Sequence, residues 1–192
     1  AFRTPLEDLF RVYDPIADLV DRFGLPDTVG VATPKQVADV VSAVASRYIT
    51  KKIGVHLNDD RKLAIANALA AVDAKSRFDD KSIFIDTTIL GFGERSGIVS
   101  MTALVLNLFE TDESLVNGYN KILSYPINMR LANTIGTQVP SDEPVSLTNR
   151  THNAGSHANA VLMNNTAYEA HRLEEFGVTD YDILLGPLSG KG

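Results

Sequence analysis

The stretch Ile83-Phe84-Ile85-Asp86-Thr87-Thr88-Ile89-Leu90 decides the predicted fold, because it is apolar and rich in β-branched residues. A nearly continuous run of this kind is typical of a strand that is buried on both faces of a parallel sheet. A loop with three glycines, 91–97, follows it, and the apolar residues from Ile98 to Phe109 then predict a helix. We therefore expect a strand, a loop and a helix of a parallel α/β structure here.

Two similar units come earlier in the chain. Residues 25–30 form a short segment that ends in turn residues, and Thr33-Pro34-Lys35-Gln36 predicts a helix start with an N-cap, a proline at the first helical position and a capping-box glutamine. Residues 52–57 then predict a strand, and residues 62–74 an alanine-rich helix. Three repeats of strand, loop and helix predict an α/β fold with a parallel sheet.

The ends of the chain have a different pattern. The apolar spacing over 5–22 predicts a helix, and Pro15 is expected to kink or divide it. After about residue 110 the pattern of strands and helices stops, with helix signals near 112–124 and then a stretch rich in Pro, Asn, Thr and Ser. We therefore predict an α/β part over 1–110 and a helical or irregular extension over 111–192.

Composition excludes several classes of protein. The 192 residues are 44% hydrophobic and 22% charged, which is ordinary for a globular protein, and the net charge of −6 argues against a nucleic-acid surface. No apolar run approaches the roughly 20 residues that span a bilayer. The absence of cysteine excludes disulfides and thiolate chemistry. We expect no nucleic-acid partner, no membrane contact, and a location in the cytoplasm or an organelle matrix.

Four motifs in a fixed order carry a resemblance to a known family. They are Asp27–Pro34 (Asp-Thr-Val-Gly-Val-Ala-Thr-Pro), His56–Asp60 (His-Leu-Asn-Asp-Asp), Gly91–Arg95 (Gly-Phe-Gly-Glu-Arg), and Thr151–Ala158 (Thr-His-Asn-Ala-Gly-Ser-His-Ala) with Thr166–Glu169 (Thr-Ala-Tyr-Glu). Together they resemble the motifs of the homocitrate synthase and isopropylmalate synthase family. Ile98, where isopropylmalate synthases have asparagine, favours the homocitrate synthase side.

The resemblance implies a (β/α)8 barrel, also called a TIM barrel. The motifs match roughly the second half of such a barrel, followed by a mainly helical extension that carries the two spaced histidines, His152 and His157, and the Tyr-Glu segment. The family's first strand, with its Arg-Asp-x-x-Gln motif, has no counterpart here. The resemblance therefore also implies a partner: a homodimer, or a second polypeptide that supplies the missing half of the barrel, because open edges of a parallel sheet need cover.

The resemblance also implies an activity. Enzymes of this family are acyltransferases that join acetyl-CoA to a 2-oxo acid in a Claisen-type condensation, so a small carboxylate ligand is expected. The first interpretation is a shortened or altered paralogue of these enzymes, which if active would be an acyltransferase or have a divergent lyase- or synthase-like activity. Two alternatives stay open: a non-catalytic pseudoenzyme or assembly subunit, and a metal-independent enzyme that uses the old pocket.

Residue roles follow from the matched motifs. By resemblance, Thr28 would hydrogen-bond the carboxylate of the oxo acid, and His157 with Tyr168 would supply proton transfer. Glu94 and Arg95 would contact substrate, or would instead form a buried ion pair that shapes their loop. Barrel enzymes place such groups at the carboxyl ends of their strands.

The metal motif is only partly kept. The family has His-x-His-Asn-Asp in this place, where two histidines bind a divalent cation; here His56 matches the first histidine, but Asn58 stands at the second and Asp59 at the asparagine. A neutral amide is a weaker donor than an imidazole, which predicts weakened binding of Mg²⁺, Mn²⁺ or Zn²⁺ by this chain alone. Asp59 is a hard oxygen donor that would favour Mg²⁺ or Mn²⁺ over Zn²⁺.

Overall fold

The chain divides into two compact units, Ala1–Leu104 and Val105–Gly192. The computed structural model describes residues 1–164 and 166–184. The division lies earlier than residue 110, where the pattern of the sequence changes, and it falls inside a helix.

The first unit alternates parallel strands with helices. The break expected at Pro15 is confirmed, because a helix ends at Tyr13 and a short 3-10 helix follows it. The elements are α1 (Leu6–Tyr13), a 3-10 helix (Asp14–Leu19), β1 (Arg22–Asp27), α2 (Pro34–Arg47), β2 (Lys52–Leu57), α3 (Ala64–Lys75), β3 (Ile83–Ile85), a 3-10 helix (Ile89–Gly91) and α4 (Met101–Thr111), which continues into the second unit.

The sheet of the first unit is parallel, with β2 between β1 and β3. Pro26 pairs with His56, and Val55 pairs with Ile85. The carboxyl ends of the three strands therefore meet at one edge of the sheet, which we call the rim. The α/β class and the strand over 52–57 are confirmed.

Only one face of this sheet is covered by helices within the described residues. Side chains alternate along β1, so that Phe23 and Leu25 are buried while Arg22 and Gly24 are exposed. The buried positions of β1 and β2 share the core with apolar residues of α2 and α3. The prediction of a strand buried on both faces is wrong, since Phe84 of β3 is 40% exposed on the other face.

β3 is also shorter than predicted. Its ladder ends at Ile85, and the chain then turns through a 3-10 helix in which Leu90 has φ +58°. Gly91 follows with φ +67°, and its carbonyl accepts a hydrogen bond from the Ile98 amide at 3.0 Å. This closed loop uses residues that the pattern assigned to a strand and delays the helix until Met101.

Helix α2 begins as its sequence predicts. The Thr33 hydroxyl accepts a hydrogen bond from the Gln36 amide at 3.3 Å, and the Gln36 side chain accepts one from the Thr33 amide at 2.9 Å. This reciprocal capping box satisfies two amides that would otherwise lack helical partners. It fixes where the chain leaves the rim after β1.

The second unit is mostly short helices. Instead of the helix expected near 112–124, two 3-10 helices occupy that region, because Asp112 caps the first by accepting from the Ser114 amide at 2.9 Å. The core consists of Leu106, Phe109, Val145, Leu173, Phe176 and Val178, among others. The elements are 3-10 helices at Glu113–Val116 and Lys121–Leu123, α5 (Ser124–Ile135), a 3-10 helix (Leu147–Arg150), β4 (Thr151–His152), α6 (Gly155–Met163), a 3-10 helix (Leu173–Phe176) and β5 (Asp182–Ile183), which pairs in parallel with β4.

No helix in the described ranges combines the length and the apolar character needed to cross a membrane.

Candidate functional site

The rim of the first unit gathers polar residues from all three strands. Thr28 directly follows β1, His56 is the next-to-last residue of β2, and Asp86 directly follows β3. Because the strands are parallel, His56 lies between Pro26 of β1 and Asp86, and Thr28 is two residues beyond Pro26 at the same edge of the sheet. This is the edge where barrel enzymes hold their reacting groups.

Arg95 ties the rim together. Its Nε donates to Asp60 Oδ1 at 2.6 Å, and its Nη2 lies 3.0 Å from Asp60 Oδ2 and 2.6 Å from the Thr28 carbonyl oxygen. Hydrogen bonding to the guanidinium lowers the pKa of Asp60, and the carboxylate raises the pKa of Arg95. The loop after β3 is thereby fixed to the turns that follow β1 and β2, and the side chain of Thr28 stays exposed.

Glu94 has a different position from Arg95. Its side chain is 87% exposed, and its carboxylate is 3.6 Å from Arg95 Nη1. The expected buried ion pair between these two neighbours is wrong, because Arg95 makes its close pair with Asp60 instead. Glu94 projects into solvent at the rim, where a contact with substrate stays a prediction.

Asn58 takes part in the same network. The residue is 6% exposed, and with its amide oriented to satisfy both ends, the oxygen accepts from Arg95 Nη2 at 3.1 Å and the nitrogen donates to the Asp27 carbonyl at 3.3 Å. The side-chain oxygen that would act as a metal ligand therefore already accepts a hydrogen bond from the Arg95 guanidinium.

His56 pairs with Asp86 on the neighbouring strand. Its Nδ1 is 3.1 Å from Asp86 Oδ2, and the two side chains are 43% and 62% exposed. The pair follows from the register, because the Asp86 amide continues the ladder by donating to the Val55 carbonyl at 3.0 Å. His56 Nε2 is on the side of the ring away from this contact.

The residues of the predicted metal motif do not fit a shared divalent cation. Asp59 Oδ1 accepts from the Ala64 amide at 2.9 Å at the start of α3, and its Oδ2 is 3.5 Å from Lys62 Nζ. Asn58 accepts a hydrogen bond from Arg95, and Asp59 is engaged with the Ala64 amide and Lys62, so both side chains already have partners in the fold. Over residues 1–164 and 166–184, no three His, Cys, Asp or Glu side chains lie close enough together to hold a metal ion.

The predicted proton-transfer pair lies together in the second unit. The rings of His157 and Tyr168 stack with centroids 4.0 Å apart, and His152 is 6.5 Å from His157. Tyr168 is 59% exposed and has φ +64°, a strained conformation for a bulky residue. The structure thus brings the two predicted residues into contact on the surface of their unit.

A buried ion pair beside Tyr168 explains how that conformation is held, and the sequence analysis missed it. Arg150 is fully buried and lies 2.5 Å from Glu169 and 3.3 Å from Glu174, while its Nη1 donates to the Val178 carbonyl at 2.6 Å. Glu169 is the residue after Tyr168, so the ion pair anchors the strained backbone. A buried charge is tolerated only with such partners.

A cavity of about 320 Å³ lies near this ion pair. Neither His157 nor Tyr168 lines it, so it does not extend the surface on which they stack. Its lining residues are Glu110, Thr166, Glu169, Ala170, His171, Arg172, Glu174 and Glu175.

Three aspartates of the rim were also missed as functional candidates. Asp27 is 2% exposed and shapes the turn after β1 by accepting from the amides of Val31 and Ala32 at 3.1 and 2.9 Å. Asp60 and Asp86 hold Arg95 and His56. Their positions at or just after strand ends were a usable signal, since those ends share one edge of a parallel sheet.

Two family models match the chain. The model described as HMGL-like matches residues 1–125, and the one described as homocitrate synthase post-HMGL domain-like matches residues 145–192. The fold agrees with this result. The HMG-CoA lyase of Bacillus subtilis superposes with a TM-score of 0.56 at 23% identity, over 72% of this chain and 46% of that chain.

Curated relatives match almost the whole chain. The mitochondrial homocitrate synthase of Schizosaccharomyces pombe is 35% identical over 99% of this chain and 44% of its own length. The cytosolic isozyme of homocitrate synthase from Saccharomyces cerevisiae is 31% identical over 99% and 44%. The 2-isopropylmalate synthase of Rhodopirellula baltica is 31% identical over 100% and 36%.

The chain spans less than half of the length of these relatives. Its HMGL-like match nevertheless covers most of its own residues and includes the whole rim with Thr28, His56 and Arg95. The fold neighbour has the same α/β class as the parallel sheet described above. The chain belongs to the HMGL-like family and is similar over its full length to homocitrate and isopropylmalate synthases.

Proposed function

We propose that this chain is part of a homocitrate synthase-like acyltransferase that joins the acetyl methyl carbon of acetyl-CoA to the oxo carbon of a small 2-oxo acid, after which water hydrolyses the thioester and releases the CoA thiol. The observation that carries the proposal is the similarity to homocitrate synthases over 99% of the chain, in both matched segments. The ordered rim supports it, because Thr28 and the Arg95 loop are held together at the edge where such a substrate would bind.

The roles of the chain's own residues are proposed from the matched motifs. The exposed side chain of Thr28 binds one carboxylate oxygen of the oxo acid, and Arg95 acts through the backbone by fixing the Thr28 carbonyl at 2.6 Å. His157 and Tyr168, which stack on each other in the second unit, are the proposed acid and base of the proton transfer. Glu94, whose side chain is exposed at the rim, contacts the polar end of the substrate.

Acetyl-CoA is the proposed cosubstrate. In enzymes of this kind a divalent cation polarises the oxo group when it is bound. The side chains of Asn58 and Asp59 are engaged in hydrogen bonds of the fold and do not form a binding site for such a cation. No step of the proposed reaction therefore uses a metal held by this chain.

A direct assay tests the proposal. The purified full chain is incubated with acetyl-CoA and a panel of 2-oxo acids, and thiol release is followed with a disulfide reagent. We expect release that depends on one of the oxo acids, and a loss of about 10²-fold or more in Tyr168→Phe, as for removal of a general acid or base. Release without any oxo acid would reveal simple hydrolysis and count against condensation.

The engagement of Asn58 and Asp59 favours a second candidate, in which the rim binds a small carboxylate without catalysis. Both side chains serve hydrogen bonds of the fold instead of offering donors to a cation. Calorimetric titration with the same oxo acids separates the two candidates. Binding without thiol release favours the non-catalytic protein, and release favours the acyltransferase.

The proposed function also includes a partner chain, either a second copy or a polypeptide with complementary strands. The support is the uncovered face of the parallel sheet, on which Phe84 is 40% exposed beside Arg22 and Lys52. Parallel sheets are normally covered on both faces.

A further inference from the structure

One buried ion pair joins the two segments of the second unit that carry His157 and Tyr168. Arg150 directly precedes β4, which leads into the helix of His157, and Glu169 directly follows Tyr168. The Arg150 guanidinium is fully buried, and its Nη2 is 2.5 Å from Oε1 of Glu169, whose side chain is 8% exposed. The ion pair therefore connects the two motifs that supply the predicted proton-transfer pair.

Tyr168 occupies a turn position that normally requires a smaller residue. The turn runs from Thr166 to Glu169 and is closed by a hydrogen bond from the Glu169 amide to the Thr166 carbonyl at 3.2 Å. Its third residue, Tyr168, has φ +64°. Glycine or asparagine usually provides a positive φ at this position of a turn. A strained conformation persists only where its surroundings enforce it, and the anchoring of Glu169 by Arg150 is such a constraint.

We infer that Arg150 is a positioning residue for the proposed proton transfer. Its ion pair with Glu169 holds the turn so that the ring of Tyr168 stacks on His157, with centroids 4.0 Å apart and an interplanar angle of 22°. Arg150 acts through the backbone of the turn and not by contact with substrate. The use of the two rings in proton transfer rests on the proposed function, whereas their placement by Arg150 does not.

The arrangement of the charges favours positioning over stability. Taking a guanidinium and a carboxylate out of water is costly, and an apolar pair of similar volume is often equally stable. The buried guanidinium does give a fixed geometry, because Nη1 donates to the Val178 carbonyl at 2.6 Å while Nη2 holds Glu169. Glu174, the other carboxylate near Arg150, is 3.3 Å away and 52% exposed. Glu169 is therefore the partner whose loss is expected to move Tyr168.

Nuclear magnetic resonance on the full chain measures the stack directly. Because the His157 ring lies against the face of Tyr168, the chemical shifts of its protons include the ring-current effect of the tyrosine. His157→Gln assigns these signals, and Tyr168→Leu gives their position without the stack. We expect Glu169→Ala to move the signals most of the way to that position. Glu169→Gln keeps a hydrogen-bond acceptor in the same volume and is expected to move them in the same direction, but less.

Glu175→Ala is the matched control for these spectra. It removes the same side chain from the next acidic position, together with ion pairs to Lys121 and Arg172, but it leaves the Arg150 pair intact. We expect the His157 signals to stay in place in this variant. A general loss of stability in the second unit would affect both alanine variants, whereas a loss of positioning affects only Glu169→Ala.

Three results would overturn the inference: unmoved His157 signals in a folded Glu169→Ala, an equal movement in Glu175→Ala, or no difference between the unmodified chain and Tyr168→Leu. If Glu169→Ala does not fold, Glu169→Gln decides, because the amide has nearly the shape of the carboxylate. Movement of the signals then supports positioning, and unmoved signals exclude it.

Kinetics provide a second readout where the chain condenses its substrates. Glu169→Ala is expected to lower kcat about 10-fold or more with KM unchanged, because misplaced acid–base groups slow the chemical step without loosening binding. A higher KM with an unchanged kcat would contradict a positioning role. If the unmodified chain releases no thiol from acetyl-CoA, the proposed function fails, and the resonance spectra still decide whether Arg150 positions Tyr168.

Discussion

Gly30 lies where the turn after β1 touches the aspartate that holds Arg95. Its φ is +58°, and a Cβ built there would be 2.7 Å from Asp60 Oδ2 and 2.8 Å from the Asp60 amide nitrogen. Both the conformation and the close approach exclude a side chain. Because Gly30 has no Cβ, the turn after β1 can lie directly against Asp60, the residue that pairs with Arg95.

Gly30→Ala is expected to destabilise the protein and to loosen the Arg95 contacts. The left-handed conformation costs a residue with a Cβ about 1–2 kcal/mol, and the forced contact with Asp60 adds about 1–3 kcal/mol. Denaturant unfolding measures the change in free energy. Gly118→Ala is the control, because Gly118 has φ +86° but no atom within 4 Å of the added Cβ. Equal losses in the two variants would show that the Asp60 contact costs nothing.

Helix α2 shows how a single element positions the rim. Its capping box closes at Thr33, which ends the same turn whose amides at Val31 and Ala32 bond the Asp27 carboxylate. The start of the helix and the end of β1 are therefore tied to one short segment. Thr28 lies in this segment, so the contacts that hold the turn also position the proposed carboxylate-binding residue.

Thr33→Ala is expected to lower the free energy of unfolding by about 1 kcal/mol, as for other lost N-caps. Thr33→Ser keeps the hydroxyl acceptor and serves as the matched control, with a much smaller loss. Chemical denaturation followed by circular dichroism gives both values. If the serine variant lost as much as the alanine variant, the methyl group of Thr33 and not its cap would be the stabilising feature.

Elements with local signals were predictable from the sequence, and those set by distant contacts were not. The capping box and the strand over 52–57 match the structure because their patterns lie within a few residues. β3 was overestimated because Leu90 and Gly91 turn left-handed and bond to Ile98, which no periodicity reveals.

The candidate site divides in the same way. Motif matching placed Thr28, His56 and the loop from Gly91 to Glu94 at the rim, since each is close to the end of a predicted strand. The hydrogen bond from Arg95 to Asn58 joins segments far apart in the sequence, so the amide looked like a weakened ligand. The pairing of His56 with Asp86 likewise joins two residues that are 30 positions apart, on neighbouring strands whose register no local pattern gives.

For the whole molecule, the uncovered sheet face makes a prediction about association. Phe84 is 40% exposed there, with the Arg22 guanidinium 4.8 Å and the Lys52 ammonium 5.7 Å from its ring centroid. Gly24 of the same face has no atom within 4 Å of a built Cβ, so the surface is open to a partner. An exposed apolar side chain on a parallel sheet favours burial against another chain.

We expect the purified chain to have the mass of a dimer or a larger species. The Phe84→Lys variant is expected to have a mass closer to that of the monomer. Leu19→Lys is the control, because Leu19 is 81% exposed but lies in a 3-10 helix and is not part of the sheet. Light scattering after size-exclusion chromatography measures the mass. A stable, folded monomer at every concentration would count against self-association and leave a second polypeptide as the candidate partner.

The placement of β2 in the middle of the sheet also has a kinetic consequence. Helix α2 connects β1 to β2, and helix α3 connects β2 to β3. Neither pair of strands can therefore start to form from a tight hairpin. The chain loses the conformational entropy of closing these long loops before the strand hydrogen bonds form. This slows folding and leaves strand edges exposed for longer. A nascent chain would therefore keep both edges of β2 unpaired, and so open to aggregation, until both crossover helices had formed and packed.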